Sequence, residues 1–147
     1  MRNCVDFNFH LFCFYTKRSG YFCVNRVSIM FIDELREFCM IKPFVTEGFP
    51  FDEDTLVFKV DGKMFALVSL SDPSWVNLKC DPERAVDLRE QYESIRPGYH
   101  MSKTHWNTVN LHAGLDDALI RGLIDHSYDE VVRGFTRKRR RELGLEP

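Results

Sequence analysis

From residue 31 onward the chain switches between a helical and a strand period of apolar positions. Phe31, Leu35 and Phe38, with Ile32 and Cys39 beside them, recur at helical spacing as far as about Lys42. Asp33 and Glu34 occupy the first turn, where the helix dipole favours anions. Pro43 ends this helix, and Pro50 with the acidic Asp52, Glu53 and Asp54 predicts a loop. Leu56, Phe58 and Val60 then alternate with Thr55, Val57 and Lys59, and Asp61-Gly62 is a type I′ hairpin signal leading into Met64–Leu70. After the turn at Ser71-Asp72-Pro73-Ser74, the alternation of Val76 and Leu78 with Asn77 and Lys79 predicts a third strand over Trp75–Lys79.

Asp81 as N-cap, Pro82 at the first helical position and Glu83 in the first turn open a second helix, with Ala85, Leu88 and Tyr92 on one stripe. Arg96-Pro97-Gly98 reads as loop chemistry, and Tyr99–Leu111 as a second hairpin returning over Trp106–Leu111. From Leu115 the stripe of Ile120, Ile124, Tyr128, Val131 and Phe135 makes a long third helix. The order α-β-β-β-α-β-β-α describes an α+β domain of two layers: an antiparallel sheet with helices on one face and the other face open to water or a partner.

Residues 1–29 differ in kind. They carry seven of the chain's 20 aromatics, three of its five cysteines and no alanine, proline, glutamate or glutamine. Asp6 and His10 spoil a signal-peptide core, although Phe7 to His10 alternate as an added strand would. The reading adopted is that Met30 is the natural start and residues 1–29 are upstream sequence. The domain proper is then 30–136, with a basic tail at 137–147.

Charge divides along the same lines. The net charge of −2 for 147 residues combines a basic residues 1–29 with a body, residues 30–147, of 16 basic and 21 acidic side chains. Five of those cations, Arg137, Lys138, Arg139, Arg140 and Arg141, are consecutive; without the tail, residues 30–136 hold 11 basic and 19 acidic groups. A nucleic-acid footprint on such a chain has to be local. Cys4, Cys13, Cys23, Cys39 and Cys80 are odd in number and have no zinc-site spacing, which fits the reduced thiols of a cytoplasmic protein. No apolar run is long enough to span a membrane.

Signs of catalysis are sparse. Cys80 precedes a helix N-terminus, where a thiol can be activated, but it continues the apolar alternation of Val76 and Leu78 and reads better as core. His100 and His105 have no third ligand, His112 is a loop residue with no evident partner, His126 belongs to the third helix and reads as a satisfied interior or surface imidazole, and Asp52, Glu53 and Asp54 lack the calcium-loop pattern. Phosphate-loop, serine-hydrolase and zinc-protease strings are absent. The expectation is a binding module, with no cofactor, metal or catalytic residue. The stretch from Arg96 to Thr108 mixes Tyr99 and Trp106 with Arg96, Lys103 and two imidazoles, a composition suited to stacking and phosphate contact.

Several strings resemble the MmcQ/YjbR family: Gly48-Phe49-Pro50-Phe51, Asp54 to Val60, Gly62 to Ala66, Lys79-Cys80-Asp81-Pro82, Pro97-Gly98-Tyr99-His100-Met101, His105-Trp106-Asn107 and Asp125-His126-Ser127-Tyr128-Asp129. The resemblance covers residues 30–136 and implies an α-β(3)-α-β(2)-α fold with a double-wing arrangement, for which DNA binding is proposed, and a topology shared with secretion-chaperone-like domains. It brings no catalytic residues.

Under the DNA reading, Lys59, Lys63, Lys79, Arg96, Lys103, Trp106 and the run Arg137–Arg141 are the contact residues. The alternatives are a protein-interaction module, a self-associating homodimer among them, and a small-ligand pocket around Trp106, His100, His105 and Cys80.

Overall fold

The stripe beginning at Phe31 becomes helix α1 (Ile32–Met40), which buries Leu35 and Cys39. Glu34 closes its start, accepting from the Phe31 amide at 3.0 Å. The computed structural model describes residues 29–145. The expectations for residues 1–28, including Cys4, Cys13, Cys23 and the Phe7–His10 alternation, lie outside the described residues. Met30 is fully buried, and its amide donates to the Leu111 carbonyl at 3.3 Å.

Strands β1 (Val45–Gly48), β2 (Thr55–Val60), β3 (Lys63–Ser69) and β4 (Trp75–Lys79) precede helix α2 (Pro82–Gln91). Then come β5 (Ile95–Pro97), β6 (Trp106–Asn110), helix α3 (Asp117–Arg133) and helix α4 (Arg137–Glu142). The six strands form one sheet in the order β1-β2-β3-β4-β6-β5, antiparallel at every pairing. The turn between β2 and β3 is the one its residues dictate, with φ of 46° at Asp61 and 79° at Gly62, both in the left-handed range of a type I′ turn.

Helix α3 crosses β3 and β4, α1 lies against β1 and α2 against β5. Phe58, Phe65, Val68, Val76 and Val109 from the sheet, with Leu111 just past β6, meet Leu35, Ala85, Ile120, Ile124 and Val131 from the helices in one core. Phe65 contacts Tyr128 edge-on at 5.7 Å between ring centres. Ser127, fully buried on α3, ties the layers together: its hydroxyl accepts from the Lys79 amide at 2.7 Å and donates to the Phe65 carbonyl.

The architecture corrects the sequence reading at four places. Val45–Gly48, given no element from the sequence, is an edge strand; four residues between two prolines carry too little period-two pattern to announce a strand, and pairing with β2 makes it one. The second hairpin's first arm is Ile95–Pro97, upstream of Tyr99, and residues 98–105 connect the arms. Pro97 is tolerated there because β5 is an edge strand that needs no outward donor. Phe135 lies beyond α3, past the Gly134 C-cap, yet is still buried. The basic run is a helix and not a trailing tail: Thr136 caps its start by accepting from the Arg139 amide, and Gly144 ends it at φ 65° with Leu145 donating to the Arg140 carbonyl.

Candidate functional site

Strand directions decide where the cations go. Since β2 and β3 are joined by the turn at Asp61-Gly62, and β4 runs antiparallel to β3, the Lys79 end of β4 lies at the same end of the sheet as that turn. Lys79 pairs with Trp106, the first residue of β6, and the Cys80 amide donates to the His105 carbonyl, so the 98–105 connection is at this end too. Both hairpin tips therefore point the same way.

Helix α4 sits beside the first of them. Arg139, 78 residues from Asp61 in sequence, donates Nε to one of its carboxylate oxygens at 2.7 Å and Nη2 to the other at 2.6 Å. This hydrogen bond holds the Asp61 carboxyl below its ordinary range and the Arg139 guanidinium above its own. Lys63 lies over the Phe135 ring at 4.8 Å. The end of the sheet thus gathers Lys63, Lys79, Lys103 and the α4 cations, with Lys59 one residue inside the rim. Asp61 and Glu142, which share it, are paired with Arg139, and the Asp81 carboxylate caps α2 by accepting from the Glu83 and Arg84 amides. Asp52, Asp54 and Asp72 flank the start of β2 and the β3–β4 turn, at the opposite end.

Not all the expected contact residues come together. Arg96 pairs with Thr108, two residues down β6 from the rim, and its guanidinium lies over the Trp75 ring at 4.9 Å. Trp106 is buried on the helix-free face in a small cluster with Val57 and Leu67, flanked by Met64 and Met101. Gly98 permits this packing, since a Cβ there would sit 2.7 Å from the Trp106 Cβ. Lys103 is exposed on a connection moored to α2 by Arg89, whose Nε donates to Asn107 Oδ1 at 2.7 Å and whose Nη2 donates to the Lys103 carbonyl.

The same helix-free face carries a groove of about 740 Å³ whose walls include Phe51, Trp75, Asn77, Arg96, Tyr99 and Met101. Its floor is set by Thr108, whose hydroxyl accepts from the Tyr99 amide at 2.9 Å and donates to Asn77 Oδ1 at 2.5 Å. His100 adopts a left-handed φ of 54° and its ring meets Tyr99 at 4.0 Å. Pairs of aromatic and cationic residues at close sequence spacing hinted at this stretch, but Trp75 and Phe51 are supplied by distant segments.

Cys80 is buried, and burial pushes its thiol up to about 11, which disfavours the thiolate a nucleophile needs. Cys39 is pushed up to about 12 for the same reason. His126 Nε2 accepts from the Asp81 amide at 3.2 Å, so its ring is neutral there; burial, reinforced by Arg84, holds its pKa below the usual imidazole value. Among the described residues no three His, Cys, Asp or Glu side chains are grouped to hold a metal, and no helix is long and apolar enough to cross a membrane.

Known proteins share this design. The YjbR family model matches residues 40–130. The uncharacterised Escherichia coli K12 protein YjbR is 36% identical over 115 residues, covering 78% of this chain and 98% of the relative. The uncharacterised YbdF of Escherichia coli O157:H7 is 41% identical over 97 residues, or 65% of this chain and 80% of YbdF. A crystal structure of a Deinococcus radiodurans protein with a DUF419 domain superposes with a TM-score of 0.76 at 42% identity, over 80% of this chain and 91% of that one. By its sequence over the domain and by its fold, the chain belongs to the YjbR family.

Proposed function

We propose that the chain binds duplex DNA through the end of the sheet that carries the β2–β3 turn, with helix α4 beside it, and the β5–β6 connection. One observation carries this reading: a domain that is acidic in total gathers Lys63, Lys79, Lys103 and the α4 cations at one end, where Asp61 and Glu142 are tied to Arg139, Asp81 caps α2 and Glu83 is the exposed acid of its first turn, while Asp52, Asp54 and Asp72 lie at the other. The two hairpin tips act as wings against phosphates, and α4 adds charge at the first of them. Such contacts position a protein on DNA without reading bases.

Fluorescence anisotropy with a labelled duplex over a salt series tests it. Each neutralised phosphate contributes about 0.9 to the slope of log affinity against log salt, so four or more contacts give a slope of about −3.6 or steeper. Lys63→Ser and Lys79→Ser each flatten that slope by about 0.9, whereas Arg96→Ser, away from the rim, leaves it unchanged. Absence of binding at low salt sinks the reading.

A protein partner is the second reading, favoured by the edge strand β1, which is flanked by the exposed Phe44 and Phe49 and lacks the lysine that commonly protects an edge. Phe44 is held there at a left-handed φ of 57°. Concentration-dependent mass in sedimentation, without affinity for DNA, would select it.

A further inference from the structure

We propose that the groove on the helix-free face is a site for one nucleotide, its base against the aromatic walls and its phosphate on Arg96. The choice of a nucleotide over another planar anion rests on the nucleic-acid reading; the groove itself does not.

The volume of about 740 Å³ suits a small-molecule site, which is apolar with a few placed polar groups. Three flat side chains from separate segments, Phe51, Trp75 and Tyr99, line it, and Phe51 and Tyr99 are 61% and 69% exposed. Nothing in the fold requires such exposure, and a stacked base would cover it. The exposed Arg96 guanidinium, held over Trp75, pairs with no carboxylate among the described residues and leaves its donors for an anion. Asn77 Oδ1 is already occupied by Thr108, so its NH2 is the group left to donate to a ring nitrogen or carbonyl.

Polarity orients the ligand. Asp54 and Asp72 line the far side, where Asp54 accepts from the Ser69 hydroxyl and from the amide and hydroxyl of Ser71. Those hydrogen bonds keep Asp54 ionised below the ordinary range, so a phosphate is repelled from that side and drawn to Arg96. Asp52 is likewise engaged, by Thr55 and the Asp54 amide.

Calorimetric titration of the full chain with adenosine 5′-monophosphate, adenosine, inorganic phosphate and a tetranucleotide tests this. The monophosphate is expected to bind with Kd in the micromolar to millimolar range, at least tenfold tighter than adenosine, with inorganic phosphate failing to compete. Arg96→Gln and Phe51→Ala, both at exposed positions away from the DNA-facing end, are each expected to weaken it at least tenfold while duplex affinity and its salt slope stay unchanged. A tetranucleotide binding more tightly than the monophosphate marks the source as a strand, and the reverse marks a free nucleotide; either supports the site. No heat with about 5 mM monophosphate or with the tetranucleotide, or binding indifferent to both substitutions, overturns it. Because duplex binding is read separately on Lys63 and Lys79, failure of the groove and failure of the DNA reading are told apart.

Discussion

Arg139→Ala is expected to weaken duplex binding by about thirty- to a hundredfold at 0.1 M salt, well beyond the roughly eightfold that one lost phosphate contact accounts for. The reason is that Arg139 does two jobs. Its fork neutralises Asp61 at the tip of the β2–β3 turn, and the same pair anchors α4 beside that turn. Without it an ionised Asp61 faces the DNA, and α4 with its other cations is held at the rim less firmly, by contacts such as the Arg140 bond to the Arg133 carbonyl and the packing of Leu143. Folding stability is expected to change little, because a solvent-exposed ion pair contributes little. The double variant Asp61→Ala with Arg139→Ala is expected to recover most of the excess loss and return to within about tenfold of the parent. Anisotropy at several salt concentrations, beside urea unfolding of each variant, reads both effects. A single Arg139→Ala loss no larger than one charge, with no recovery in the double variant, would show that the Asp61 pair does not organise the site.

Ser127→Ala is expected to cost about 3 kcal/mol of stability, seen as a lower urea midpoint with an unchanged slope. The serine looks minor, yet it is fully buried and bonded to two strands. Removing its hydroxyl leaves the Lys79 amide and the Phe65 carbonyl without that partner between sheet and helix, each at about 1–3 kcal/mol if unmade. Ser127→Thr keeps the hydroxyl and is expected to recover part of the loss. A cost below about 1 kcal/mol for the alanine variant would mean that the two groups find other partners.

The alternation of Leu56, Phe58 and Val60, the Asp61-Gly62 turn, the Asp81-Pro82 cap and the stripe from Ile120 to Val131 were all legible in the chain. Each is a local device: its period or its φ requirement is satisfied by neighbours a few residues away. That is why three of the four helices, four of the six strands and the family resemblance could be read directly. Strands β1 and β5 could not, because three or four residues beside prolines have no period of their own and become strands only by pairing at the sheet edges. The candidate cations were likewise visible as residue types, but their grouping was not. Antiparallel pairing carries both hairpin tips to one end and the Asp52–Asp54 loop to the other, and it leaves Arg96 on Trp75, away from the rim. The bond from Arg139 to Asp61 spans 78 residues. Composition and periodicity act over a few residues, whereas charge sorting and the groove arise from segments that meet only when the sheet is assembled.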